Sequence, residues 1–300
     1  MRIFLTGATG FIGSRIIPEL LDAGHKVTGL TRSDAGAKAL REAGVEPYSG
    51  TIDEPESLRA GARAADAVVH TAFDHNFANF VANCEKDRRV IQLLGDALKG
   101  STKPLVITSG TGIGLPGPGQ LATEDVFDIH HPNPRIASEL AGQEMQAKGV
   151  KVIVVRLPQV HDTHRQGLIS PLIDVARQKG LSAYVGDGTN RWAAAHVSDV
   201  AQLYRLAIEQ GRAGERFNAV GEEGISARDI ATVIGAGLGV PVVSLSPAEA
   251  QDHFGWLGMF VALDMPASSA WTRQRLGWYP EGAGLIADLR NMDYRGAPQG

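Results

Sequence analysis

A single cysteine, Cys84, stands among the 300 residues, so no disulfide can close within the chain and a reducing compartment is expected. On a helical pattern, a lone cysteine reads as a small buried hydrophobe rather than a nucleophile. No run of about 18 apolar residues occurs, so no membrane-spanning helix is expected. Nor is a secretory leader expected, because Arg2-Ile3-Phe4-Leu5 runs straight into a glycine loop. Neither sign of charge dominates: 29 basic against 33 acidic residues leave −4, no reason to expect nucleic acid or an anionic membrane as partner. No Cys/His cluster has the spacing of metal ligands, so no metal is expected. From these absences a soluble, cytoplasmic, globular protein is expected. Glycine is abundant, with 36 of 300 residues against a usual share of about 7%, which suits a fold of many tight strand-to-helix turns.

Short apolar runs alternate with amphipathic stretches through the first half. Ile3-Phe4-Leu5, Val27 to Leu30, Ala67-Val68-Val69, Leu105-Val106-Ile107 and Val152 to Val155 read as strands buried on both faces. Between them, Phe11, Ile12, Ile16, Leu20 and Leu21 form one apolar helix face, with Gly24 at its C-terminal end. Val90, Ile91, Leu94 and Leu98 form a second, and Ile136, Leu140 and Met145 a third. This alternation predicts an α/β fold, a doubly wound parallel sheet with right-handed crossovers. Residues 1–165, joined by 195–220, are expected to form a dinucleotide-binding domain. Residues 166–194 and 221–295 are expected to form a smaller substrate-binding portion. Along the chain after about residue 160, helices are expected near 168–179, 198–210 and 226–237 and strands near 216–219 and 242–245. The apolar stretch from Phe254 to Leu263 reads equally as pocket lining, lid or core. The tail 296–300 reads as frayed.

Gly7-x-x-Gly10-x-x-Gly13 follows the first strand and opens the first helix, the context in which this spacing binds a dinucleotide. The first glycine permits a tight turn, the second admits the pyrophosphate, and the third allows helix and strand to pack closely. The helix N-terminus offers free N–H groups and partial positive charge to phosphates. The second strand ends in Thr31-Arg32-Ser33 with no acidic residue to hold a ribose 2′-hydroxyl. Arg32 instead suits a 2′-phosphate, so NADP is expected over NAD.

Taken together, these residues resemble the short-chain dehydrogenase/reductase superfamily in its extended and atypical branches, the NAD-dependent epimerase/dehydratase type, over nearly the whole chain. Thr6-Gly7-Ala8-Thr9-Gly10-Phe11-Ile12-Gly13 is similar to the opening motif, and Gly50-Thr51-Ile52-Asp53 to a turn near the adenine. Val69-His70-Thr71-Ala72 is similar to the strand beneath the cofactor, and Arg156-Leu157-Pro158 to the strand end beside the nicotinamide. Asn190-Arg191-Trp192 and His196 to Val200 resemble the second half of the extended branch. The resemblance implies cofactor contacts at Gly7, Thr9, Gly10, Phe11, Ile12, Gly13, Arg32, Ile52, Thr71, Ala72, Thr108 and Pro158. It also leaves a homodimer open, since relatives often pair through helices flanking the sheet.

The chemistry the resemblance implies is hydride transfer at a carbon bearing oxygen, with a Tyr-x-x-x-Lys pair as proton donor and a Ser or Thr after the fifth strand orienting the substrate. Ser109, then Thr111, are the hydroxyl candidates. The pair itself is missing: Arg135 falls at the Tyr position and Glu139 at the Lys position. Four residues apart on one helix, they read either as an ion pair with each other or, for Arg135, as a clamp for a substrate or cofactor anion. Arginine cannot release a proton at useful pH. Asp87 is a candidate for the helix position that completes the active-site tetrad. Replacement acids could be His75 with Asp74, His161, His130 or His131, while Tyr184 is the nearest tyrosine of the second half. Three readings stand: an NADP-dependent oxidoreductase of small carbonyl or conjugated compounds, a sugar-nucleotide epimerase or dehydratase, and a non-catalytic NADP-binding sensor.

Overall fold

The computed structural model describes residues 1–295; the tail 296–300 lies outside the described residues. β1 (Arg2–Thr6) buries Ile3 and Leu5 on one side of a sheet and Phe4 on the other, all with no exposed surface. Burial on both faces is why the run is continuously apolar rather than alternating. α1 (Phe11–Asp22), β2 (Lys26–Thr31), α2 (Asp34–Glu42), β3 (Glu46–Ser49), α3 (Pro55–Ala64) and β4 (Ala67–His70) complete the first half-sheet. α4 (Phe80–Leu98), β5 (Pro104–Gly110), α5 (Ile136–Ala147) and β6 (Lys151–Leu157) follow. β7 (Gln159–His161), α6 (Ile169–Lys179), β8 (Ser182–Val185), β9 (Arg191–His196), α7 (Val197–Gln210) and β10 (Arg216–Asn218) lead into the last third. There lie β11 (Glu222–Ser226), α8 (Ala227–Leu238), β12 (Val242–Leu245), α9 (Pro247–Phe254), α10 (Gly258–Val261), α11 (Ala270–Leu276) and α12 (Leu285–Asn291).

Seven parallel strands form the main sheet in the order β10-β6-β5-β4-β1-β2-β3. The chain reverses direction across the sheet between β1 and β4, where the carboxyl ends of strands open a crevice for ligands. α1 and α7 cover one face around Ile16, Leu20, Leu203 and Tyr204. α3, α4 and α5 cover the other around Leu58, Ile91, Leu94 and Met145. Gly24 follows α1 with φ +78°, and its N–H and that of His25 close on the carbonyls of Leu21 and Leu20, a glycine stop one residue beyond the cap.

A second core forms from Ile169, Ile173, Trp192, Ile225, Ile230 and Leu285, beneath the small sheets β11-β9-β7 and β12-β8. β10 joins the main sheet beside β6, and α7 packs on α1. β9 crosses the expected boundary at 194/195, because its short Ala-rich run carries no periodic signal. Among the described residues, no helix is long and apolar enough to cross a membrane.

Candidate functional site

The glycine loop is shaped by contacts that side chains would break. Gly7 adopts φ +72°, and a Cβ there would come within 2.7 Å of Thr71 Oγ1 and 2.8 Å of the Ala72 nitrogen. A Cβ on Gly13 would stand 2.1 Å from the Gly7 carbonyl oxygen. The Thr71 hydroxyl donates to the Thr6 carbonyl at 2.8 Å, which ties the ends of β1 and β4 together at the crevice. Gly10 is exposed, and α1 has no side-chain cap, so its first N–H groups remain available to an anion. Glycines 7, 10 and 13 thus form a cradle that fits a pyrophosphate, with Thr9 at its open side and Phe11 and Ile12 half-buried at the helix start.

Arg32 is exposed at the end of β2 and makes no ion pair among the described residues. Ser33 beside it caps α2 at the Gly36 nitrogen, 3.1 Å away, and a Cβ on Gly36 would lie 3.3 Å from Thr9. Arg32 therefore stands where α2 meets the glycine loop. Ile52 is half-buried on the second face, Ala72 and Pro158 are half-buried at strand ends, and Asp53 is paired with Lys86 at 3.3 Å.

Beneath the crevice runs a chain of buried polar groups. Thr6 Oγ1 lies 2.6 Å from His70 Nδ1, and His70 Nε2 lies 2.9 Å from Asp87 Oδ1. The second Asp87 oxygen accepts from Arg135 Nη1 at 2.6 Å and from the Ser138 hydroxyl at 2.5 Å. With a carboxylate at one nitrogen, His70 donates from Nε2 and accepts at Nδ1. Asp87 is 4% exposed. Burial opposes its charge, yet the Arg135 charge and the His70 and Ser138 hydrogen bonds prevail and hold its carboxyl far below the usual range. Arg135 also donates from Nη2 to the Thr108 carbonyl at 2.9 Å, and its guanidinium lies 4.2 Å over the Phe73 ring. Among the described residues Nε and one N–H of Nη2 carry no hydrogen bond, and the side chain keeps 14% of its surface. Burial and then the Arg135 charge lower the His75 pKa.

Several sequence expectations are corrected here. Arg135 and Glu139 do not pair with each other. Glu139 instead accepts from Arg156 Nε and Nη2, both at 2.8 Å, and from Arg216 Nε at 2.9 Å. The Arg156–Glu139 pair is wholly buried, and Arg156 also donates to the carbonyls of Thr123 and Val126, which pins the long β5–α5 connection. The hydroxyl of Thr108 does not face the crevice. It donates to the His70 carbonyl or Tyr204 at 2.7 Å, because alternation along β5 turns it toward α7. Ser109 turns to the other face, is 3% exposed and sits beside the Glu139 carboxylate. Thr111 is 4% exposed, near the Leu157 carbonyl.

His161 is entirely buried, its Nδ1 2.7 Å from Asp288 on α12. Burial lowers its pKa against the pull of Asp288. Tyr184 lies on β8 with Arg228 over its ring at 5.7 Å. His130 is exposed, and His131 accepts from the Asn133 nitrogen at 3.1 Å; both stand in the loop before α5. Cys84 is buried, and burial pushes its thiol up to about 11. The sequence reading missed the His70–Asp87 link and the Arg156–Glu139–Arg216 cluster. One signal was legible: Arg156 ends an apolar strand run, and a charged residue buried there has to be paired.

Known proteins agree with this architecture. The UDP-glucose 4-epimerase of Thermus thermophilus, solved in complex with NAD, superposes with a TM-score of 0.75 at 22% identity, over 99% of this chain and all of that one. The UDP-glucose 4-epimerase of Streptomyces lividans is 25% identical over 95% of this chain and 93% of its own length. Much nearer is an uncharacterised protein of Schizosaccharomyces pombe, 44% identical over 98% of this chain and its own full length. The sequence model of the NAD dependent epimerase/dehydratase family matches residues 3–220, from β1 to the end of the main sheet and the turn beyond it. With the glycine cradle, the strand order and the matched span in agreement, the chain belongs to that family.

Proposed function

We propose that this chain is an NADP-dependent oxidoreductase that transfers a hydride to or from a small carbonyl or conjugated substrate without a Tyr–Lys pair. The observation that carries the reading is the Arg135 guanidinium, fixed by Asp87 and the Thr108 carbonyl with N–H groups to spare. Gly7, Thr9, Gly10, Phe11, Ile12 and Gly13 would hold the pyrophosphate, Arg32 the 2′-phosphate, and Ile52, Thr71, Ala72 and Pro158 the rest of the dinucleotide. When bound, the reduced cofactor supplies a hydride. Arg135 donates hydrogen bonds to the substrate oxygen and stabilises the negative charge that grows on it. Because arginine keeps its protons, the proton that completes the reaction comes from water. A conjugated alkene suits this arrangement: hydride at its β-carbon leaves an enolate on Arg135, and a solvent proton at the α-carbon completes a two-electron reduction. Asp87, backed by His70 and Thr6, fixes the guanidinium and offsets its desolvation. Ser109 acts from below, beside Glu139 of α5, and Thr111 lies against the Leu157 carbonyl of β6. Residues 166–194 and 221–295 are assigned to the substrate.

Loss of absorbance at the NADPH band with a panel of ketones and enones tests the reading. No turnover with any of them, by protein that binds NADPH, overturns it. The relatives named above favour a second reading, a sugar-nucleotide epimerase or dehydratase; NAD retained through purification and interconversion of UDP-sugars would establish that one instead. Binding without any turnover would leave the chain a redox sensor.

A further inference from the structure

Arg135 begins an uninterrupted row of rings that leads out of the crevice. Phe73 lies under the guanidinium at 4.2 Å. The His75 ring stands 5.3 Å from Phe73, and Phe77 stands 6.2 Å from His75. Trp256 stacks on Phe77 at 4.5 Å with only 5° between the planes. Phe260 meets both edge-on, at 6.0 and 6.3 Å, which locks the two stacked rings in place. Phe73 and Phe77 come from the connection after β4 and Trp256 from the turn between α9 and α10, so the row joins the first half of the chain to its last third.

Phe80 packs beside Phe73 and Phe77, at 6.4 and 5.5 Å, but packing does not account for Trp256. Around Trp256, Phe254, Leu257, Phe260 and Val261 are all buried, whereas Trp256 keeps 38% of its surface. A rigid, partly open aromatic face that ends at a guanidinium is uncommon on a surface that serves no ligand. Ring faces offer dispersion and stacking to a planar body. They offer few of the hydrogen bonds that the hydroxyls of a sugar require. His75 adds a flat imidazole face to the row.

We infer that the substrate carries a flat, conjugated or aryl body that lies along Phe73, Phe77 and Trp256 while its oxygen is held by Arg135. The inference rests on the role given to Arg135 above and adds the chemical class of the substrate.

Two matched enones test it, 4-phenyl-3-buten-2-one and 3-penten-2-one, with the NADPH-loaded protein. The aryl compound is expected to show kcat/KM at least tenfold higher, a ratio that stacking and apolar burial readily supply. The ratio falls about tenfold in Trp256→Ala and recovers in Trp256→Phe. In saturation-transfer NMR, the phenyl protons of the aryl enone are expected to receive saturation from the native protein and to lose most of it in Trp256→Ala. Equal turnover of the two enones leaves the oxidoreductase reading standing and overturns the substrate class. If neither enone is reduced, the oxidoreductase reading falls; saturation that disappears in Trp256→Ala then still supports the aromatic subsite, and its absence from native protein overturns that too. Displacement of the aryl ligand by equimolar UDP-glucose overturns it as well.

Discussion

Arg135, the residue that precedes α5, reaches across to Asp87 in the middle of α4, with Nη1 2.6 Å from Oδ2, and leaves Glu139 one turn along its own helix to Arg156 and Arg216. Two buried carboxylates thus each hold arginine from another element, and only one of those arginines, Arg135, stands at the crevice. The remaining guanidinium cluster is structural. This division of labour sets what each substitution does.

Arg135→Met should remove the hydrogen bonds to the substrate oxygen while the glycine cradle is untouched. Loss of one preorganised donor to a developing oxyanion costs about 10²- to 10³-fold in turnover. The expected outcome is a fall of that size in kcat/KM, with the Kd for NADPH changed by less than about threefold. An equal loss in both would show that Arg135 serves the cofactor instead. Steady-state kinetics and calorimetric titration separate the two. Carbon NMR should also find the Asp87 carboxyl titrating at higher pH than in the native protein, because its principal cationic partner is gone.

Glu139→Leu should act on stability. It strands Arg156, whose side chain has no exposed surface, and removing one partner of a buried pair costs about 3–5 kcal/mol. Arg156→Leu alone should cost a similar amount. The double variant should lose less than the sum of the two, since neither wholly buried charge is left behind and only the partly exposed Arg216 loses its carboxylate, with a coupling of about 1–3 kcal/mol. Urea unfolding curves measure all three; strict additivity would show that the pair acts only through packing.

Acid should expose the same carboxylates. Asp87 and Glu139 both have pKa values lowered in the folded state, chiefly by Arg135 and Arg156 against the effect of burial. A lowered folded pKa gives stability that is fully present above the unfolded value, about 4, and is lost as pH falls through the folded value. Native protein should therefore keep its unfolding free energy from neutral pH down to about pH 5, then lose it steeply below. Asp87→Asn should start lower at neutral pH and fall less steeply in acid. Parallel curves for the two proteins would remove Asp87 from the account.

Much of the sheet was legible because its strands are buried on both faces and read as continuous apolar runs. The glycine cradle was legible because its steric demands act between residues only a few positions apart, such as Gly13 against the Gly7 carbonyl. The polar network was not, since its partners lie far apart: Thr6 with His70, Asp87 with Arg135, Glu139 with Arg216. Helix spacing offered Glu139 as the neighbour of Arg135, and tertiary packing overrode it by supplying arginines from the sheet. Ser109 matched a catalytic hydroxyl and Thr108 a cofactor contact by residue type, but strand alternation decided their faces. β8 and β11 escaped notice because they are short and half-polar, and β9 because its Ala-rich run carries no periodic signal, with small sheets of two or three strands to set their pattern.

Gly13→Ala should show how tightly the cradle is built. The added Cβ would overlap the Gly7 carbonyl oxygen, a backbone atom that cannot rotate away. The loop has to move, so NADPH affinity should fall at least tenfold and thermal stability with it. Gly110→Ala is the control for stability: its Cβ would have the Leu157 carbonyl as nearest neighbour at 3.9 Å, and its unfolding free energy should stay within about 0.5 kcal/mol of native. If Gly13→Ala binds NADPH normally, the cradle is not the pyrophosphate site.

Arg32→Glu tests the choice of cofactor. Arg32 is exposed at the end of β2 and carries no ion pair among the described residues, so reversing its charge should cost the fold little. A 2′-phosphate would then face a carboxylate in place of a guanidinium, whereas a 2′-hydroxyl would gain an acceptor. The expected outcome in calorimetric titration is native protein binding NADPH at least tenfold more tightly than NADH, and the variant reversing that order. The native preference should shrink as salt rises from 50 to about 500 mM, because an exposed charge pair is screened over a Debye length of a few ångströms at that strength. Equal native affinity for the two cofactors would take the 2′-phosphate away from Arg32. The glycine cradle would keep its proposed role, since the pyrophosphate assigned to it is common to NAD and NADP.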